Sequence, residues 1–196
     1  MRIPGAGGGL QWTGGGGEET SVRAGRNIVL IGMPGAGKST VGVLLAKHLG
    51  LGFVDTDLLI QERAGRRLQE IADAGGFREL RRLEEEAILG IDTRGAVIAT
   101  GGSAVYSTRA MDHLARCGIL VCLRARPELL ESRLDDYDRR GIANPADQSF
   151  AAIFAERAPL YERYADVAVD VDGRTQEEVA RAVMEALDAR PTSSRR

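Results

Sequence analysis

Nine consecutive residues, Gly32-Met33-Pro34-Gly35-Ala36-Gly37-Lys38-Ser39-Thr40, restrict what this chain can fold into more than any other stretch. They spell G-x-x-x-x-G-K-S, entered from the apolar run Ile28-Val29-Leu30-Ile31 and followed by a helical pattern over 40–49. That is the strand–loop–helix context in which such a loop binds phosphate. The glycines let successive backbone N–H groups converge on phosphate oxygens at a helix N-terminus, whose dipole favours an anion. Gly35, Ala36, Gly37, Lys38, Ser39 and Thr40 are therefore the expected nucleotide-binding residues. Lys38 is expected to reach the β- and γ-phosphates and Ser39 to offer its hydroxyl to Mg²⁺.

Downstream, apolar residues recur at helical spacing over 40–49 (Val41, Leu44, Leu45, Leu49) and stop at Gly50 and Gly52. A strand over 53–57 ends in Asp55 and Asp57, at the edge of an open α/β sheet where ligands usually sit. Helices are expected over 58–64 and 68–74. Gly75 and Gly76 then break the pattern before a charged helix over 77–91 that carries Arg78, Arg81 and Arg82. The uncharged strand 95–100 ends in Gly101-Gly102-Ser103, which suggests close approach of a backbone to something at the sheet edge. Further helices are expected over 107–116, 127–134, 150–164 and 176–187, with strands over 119–123 and 165–171. The polar segment 135–148, broken by Gly141 and Pro145, is long enough to be a lid. Strands alternating with helices predict an α/β three-layer sandwich around a parallel sheet.

At 196 residues the length suits one domain, expected over 26–188. Residues 1–25, rich in glycine around a lone Trp12, and 189–196 have compositions that cannot offset their ordering entropy, and are expected to be disordered. With 26 basic and 28 acidic residues there is no basic excess to hold a nucleic-acid backbone. Neither a membrane-length apolar run nor a signal-peptide pattern is present, which predicts a cytoplasmic protein with no membrane partner. Cys117 and Cys122 lack metal-ligand spacing and are expected to be reduced core residues.

The ordered set of Gly32 to Thr40, Phe53-Val54-Asp55-Thr56-Asp57, Leu80-Arg81-Arg82-Leu83-Glu84, Val97-Ile98-Ala99-Thr100-Gly101-Gly102-Ser103 and Glu156-Arg157-Ala158-Pro159-Leu160-Tyr161 resembles the shikimate kinase family. These are P-loop small-molecule kinases of the nucleoside-monophosphate-kinase-like fold, and the similarity runs over 27–187. The resemblance implies transfer of the γ-phosphoryl group of ATP to a hydroxyl of a small carboxylate-bearing alcohol, shikimate, by a monomer that uses Mg²⁺. It places Asp55 near the metal with Ser39, and gives Asp57 the acceptor's hydroxyls. It assigns the acceptor carboxylate to Arg81, supported by Glu84, and to Arg157. Arg78, which follows a true phenylalanine, is the rival to Arg81. Gly101, Gly102 and Ser103 would lie against the acceptor, Arg133 against the adenine ring, and Arg139 or Arg140 would act from the lid. The family's third glycine is Ser103 here, which puts a side chain where none is expected. The lid also departs from the family pattern. Two other readings stand beside this one: a related kinase for another hydroxy acid or amino alcohol, and a nucleotide-binding regulator without catalysis.

Overall fold

The computed structural model describes residues 25–133 and 148–190. The expected leader, the tail beyond 190 and nearly all of the lid, with Trp12, Arg139 and Arg140, lie outside the described residues. The strands are β1 (Asn27–Ile31), β2 (Gly52–Asp55), β3 (Ala96–Ala99), β4 (Gly118–Arg124) and β5 (Val167–Asp170). They form a parallel sheet in the order β2-β3-β1-β4-β5. Helices α1 (Lys38–Leu49), α2 (Thr56–Ala64), α3 (Leu68–Leu89), α4 (Thr108–Cys117), α5 (Pro127–Arg133), α6 (Phe150–Tyr164) and α7 (Gln176–Asp188) connect and cover it.

Central strands carry no polar alternation because both of their faces are covered. Every residue of β1 is buried, as are the residues of β4 up to Leu123. Register is fixed by pairs such as Val29 with Ile98 and Val29 with Leu120. The chain leaves β1 towards β2 on one side and leaves β3 towards β4 on the other. The crevice beyond the carboxyl ends of β1 and β3 is thus the switch point at which open α/β sheets bind ligands.

Several boundaries differ from the sequence reading for local reasons. Helix α1 begins at Lys38, not at residue 40, because the backbone turns helical directly after Gly37, whose φ of 90° ends the loop. The two helices expected on either side of Gly75 and Gly76 are present: α3 is two helical segments joined across a kink at Gly76 (φ 69°, ψ −178°). The strand expected over 53–57 stops at Asp55, because Asp55 accepts the Asp57 N–H as the N-cap of α2. A 3₁₀ turn, Ala104–Tyr106, follows the glycine segment and has no counterpart in the sequence reading. Cys122 is buried in β4, but Cys117 is only half-buried at the end of α4, where its Sγ lies 3.5 Å from His113 Nε2.

Candidate active site

Three strand ends converge on the crevice. Thr100, just past β3, donates both its N–H (3.2 Å) and its hydroxyl (3.0 Å) to Leu30 O, which fastens the glycine segment beside β1. The Gly101 N–H in turn donates to Thr56 Oγ1 at 2.9 Å, which ties the same segment to the start of α2. A Cβ on Gly101 would overlap Glu84 Oε1 and stand 2.9 Å from Asp57 Oδ1. Only a residue without a side chain lets both carboxylates approach the backbone there. A Cβ on Gly102 would stand 2.8 Å from Pro34 Cδ and 3.1 Å from Arg157 Nη1. The glycine pair therefore forms the floor shared by the phosphate loop, Asp57, Glu84 and Arg157.

Lys38 is buried, and its ammonium donates to Gly32 O at 2.8 Å and Met33 O at 2.9 Å, the carbonyls at the entry of its own loop. Burial lowers its pKa to about 8 against the opposing pull of Asp57 and Glu84. Asp57 sits in the first turn of α2. Desolvation, reinforced by neighbouring Asp55, pushes its carboxyl up to about 6, and Lys38 acts against the rise. Glu84 comes from the second half of α3 and is 3% exposed. Its Oε2 accepts from Ser103 Oγ, and its Oε1 is buried without a hydrogen-bond partner among the described residues. Burial and the Asp57 charge raise it to about 7. Ser103 therefore does not simply add bulk at the third glycine position: it is buried and donates to the carboxylate of α3.

Arg157 is fully buried, one helical turn from Ile153 and from Tyr161 on the inner face of α6. A charged residue inside an apolar i, i+4 stripe is costly unless its partners are provided. Its Nε–H donates to Tyr106 Oη at 3.2 Å, while the neighbouring Tyr161 hydroxyl donates to Gly102 O at 2.5 Å. The Arg81 guanidinium lies 3.7 Å from the centroid of the Tyr106 ring, with Arg157 5.1 Å from the same centroid. Burial and the charge of Arg157 lower the Arg81 pKa. Arg78 is exposed and stands 5.7 Å from the Phe77 ring. Of the two rival arginines it is Arg81 that shares a neighbour with Arg157.

On the far side of the loop, Arg133 donates to Gly35 O at 3.3 Å. Gln176, the first residue of α7, was missed by sequence reasoning, since a lone glutamine at a helix start carries no signal. Its Oε1 would stand 2.6 Å from a Cβ on Gly37 and has no hydrogen-bond partner among the described residues. Ser39 and Thr40 are exposed on the first turn of α1. Ser39 carries a hydroxyl on α1 and Asp55 a carboxylate at the end of β2, both hard oxygen donors. Among the described residues no cluster of three or more His, Cys, Asp or Glu could hold a metal. Such a donor set fits Mg²⁺, which takes most of its ligands from phosphates and water, and does not fit an all-protein cage.

Comparison with known proteins agrees with this geometry. A family model described as shikimate kinase matches residues 34–188. The chain is 42% identical over 165 residues to a shikimate kinase of Moorella thermoacetica, covering 83% of this chain and 95% of that protein. It is 39% identical over 163 residues to one from Mycobacterium avium, covering 82% and 93%. Among solved structures, the shikimate kinase of Acinetobacter baumannii in complex with shikimate superposes with a TM-score of 0.74 at 27% identity, covering 82% of this chain and 91% of that one. The enzyme of Aquifex aeolicus gives 0.70 at 31% identity, covering 82% and 95%. The chain belongs to the shikimate kinase family of ATP-dependent P-loop kinases.

Proposed function

We propose that this kinase phosphorylates the 3-hydroxyl of shikimate, and that Asp57, Arg81 and Arg157 are the residues that hold the acceptor. The observation that carries the proposal is the meeting of Lys38, Asp57, Glu84 and Arg157 around the Gly101-Gly102 floor, opposite the phosphate loop. Arg81 and Arg157 hold the acceptor carboxylate, since a guanidinium fork makes paired, charge-assisted hydrogen bonds to such a group. With that end fixed, the hydroxyl lies beside Asp57, which orients it and takes its proton. The hydroxyl oxygen forms its bond to the γ-phosphorus as the bond to the β–γ bridging oxygen breaks, and ADP leaves.

The transition state for phosphoryl transfer is loose and spreads charge over the transferred oxygens, so positioning and electrostatics supply most of the rate. The loop amides from Gly35 to Thr40 hold the β- and γ-phosphates, and the Lys38 ammonium exchanges its loop carbonyls for phosphate oxygens. Mg²⁺, held from the protein side by Ser39 and Asp55, would neutralise phosphate charge when bound. Arg133 flanks the adenine, and Arg139 or Arg140 closes over the phosphoryl group to exclude water. In this proposal the enzyme acts as a cytoplasmic monomer, and its two free cysteines suit a reducing compartment. No helix among the described residues is long and apolar enough to cross a membrane.

The test is coupled ADP release over a panel of hydroxylated acids. ADP release should depend on shikimate, and Asp57→Asn should lose turnover by a factor of about 10² or more while still binding ATP, on the scale of a removed general base. Shikimate-independent ATP consumption, or faster turnover of another acid, would refute the acceptor. An unchanged Asp57→Asn rate would refute the role of Asp57.

A further inference from the structure

The two arginines assigned to the acceptor carboxylate come from different helices and carry the same charge, and the charge of Arg157 depresses the pKa of Arg81. Some feature of the protein must keep them side by side. Tyr106 touches both. One face of its ring lies 3.7 Å from the Arg81 guanidinium carbon, and the Arg157 guanidinium carbon is 5.1 Å from the same centroid. The Tyr106 oxygen accepts the Arg157 Nε–H at 3.2 Å. Ring and hydroxyl thus bind one guanidinium each, the first by cation–π attraction and the second by a hydrogen bond.

The ring is also firmly mounted. It ends the 3₁₀ turn whose Ala104 and Val105 are 2% and 3% exposed, and the Tyr106 N–H donates to Ser103 O at 3.0 Å. The turn follows directly on the Gly101-Gly102-Ser103 segment, so the ring is carried on the same short stretch of backbone as the floor.

We propose that Tyr106 is a positioning residue that sets Arg81 and Arg157 as a preformed fork for the acceptor carboxylate. This inference rests on the reading of the acceptor given above. Long arginine side chains otherwise lose rotamer freedom when the acceptor binds, and a fork ordered in advance removes that cost from binding. The consequence is selective: Tyr106 matters for the carboxylate and not for the nucleotide, and it matters little for an acceptor whose carboxylate has been neutralised.

The experiment compares wild type, Tyr106→Leu and Tyr106→Phe with shikimate and with its uncharged methyl ester, with KM for ATP measured alongside. Tyr106→Leu should raise the shikimate KM about tenfold with the ATP KM unchanged. It should leave the ester KM, already high, within about twofold, so that the preference for the acid collapses. Tyr106→Phe keeps the ring under Arg81 and loses only the oxygen, and should raise the shikimate KM about threefold. Should Tyr106→Leu fail to fold, the Tyr106→Phe series with acid and ester decides alone. Equal changes for acid and ester, or an unchanged shikimate KM in the folded variants, would overturn the role of Tyr106 and leave the acceptor reading intact. A wild type that ignores shikimate would overturn the acceptor reading and this inference with it.

Discussion

Replacing Glu84 with glutamine should make the protein more stable above neutral pH and a poorer kinase. Glu84 is 3% exposed, its Oε1 lacks a hydrogen-bond partner among the described residues, and burial together with the charge of Asp57 raises its pKa from 4.5 to about 7. In the unfolded chain the group loses its proton near the ordinary carboxylate value, so between roughly pH 4.5 and 7 the folded state binds more protons than the unfolded one. Stability therefore falls as pH rises through that window, and above it the folded state carries the whole cost of a buried charge. At about 1.4 kcal/mol per pKa unit, that cost is roughly 3 kcal/mol. Glutamine cannot ionise. Its carbonyl can still accept from Ser103 Oγ, and its NH₂ takes the place of Oε1, near Asp57 Oδ1 over Gly101, as a donor. The variant should match wild type in urea unfolding at pH 5 and exceed it by roughly 2–3 kcal/mol at pH 8, a rise in Tm of roughly 5–10 °C for a chain of this size. Coupled ADP release should fall at the same time, as activity is lost when a destabilising active-site charge is removed. A Glu84→Gln protein that is less stable than wild type at pH 8, or whose advantage is the same at pH 5, would refute the reasoning.

Two further variants probe the acceptor side. Arg81→Ala should raise the shikimate KM at least tenfold, whereas Arg78→Ala, an exposed position, should leave it within twofold; steady-state kinetics at saturating ATP check both, and the reverse pattern would move the clamp to Arg78. Ser103→Ala removes the donor to Glu84 Oε2 and should cost about 1–3 kcal/mol in urea unfolding, more at pH 8 than at pH 5 because the ionised carboxylate needs the donor most.

The nucleotide side of the site was legible because its chemistry is written in adjacent residues. A loop that presents consecutive N–H groups needs glycines at fixed spacing, and residues 28–31 of β1 before it read as an unbroken apolar run because both faces of the strand are covered. Asp55 and Asp57 were legible for a related reason, since a strand end in a parallel sheet is where a ligand is met. Boundaries were less so. Helix α1 starts two residues before the first expected helical position, because Gly37 turns the backbone there while the apolar period begins only at Val41. The break in α3, by contrast, was legible: the kink falls at Gly76, within the glycine pair at which the helical pattern stops. Contacts across the fold left no local trace. Ser103 and Glu84 are separated by 19 positions and Tyr106 and Arg157 by 51, and neither serine nor tyrosine is marked by its immediate neighbours. Arg157 itself looks like a surface charge by composition. Only its place one turn from Ile153 and Tyr161 puts it inside.

This difference follows from how the two ends of the crevice are built. Phosphates are bound mainly by backbone, so that end tolerates little change in φ and is confined to one short window. The end proposed for the acceptor is made of side chains from α2, α3, α6 and the turn after β3, which meet over a glycine floor. Three of those side chains are held by others: Glu84 by Ser103, and Arg157 and Arg81 by Tyr106. A change of acceptor within this fold is therefore available at the holding residues without disturbing the loop. Ser103, standing where the family resemblance leads one to expect glycine, is one such holding residue, beside a phosphate loop in which every position of the motif is filled.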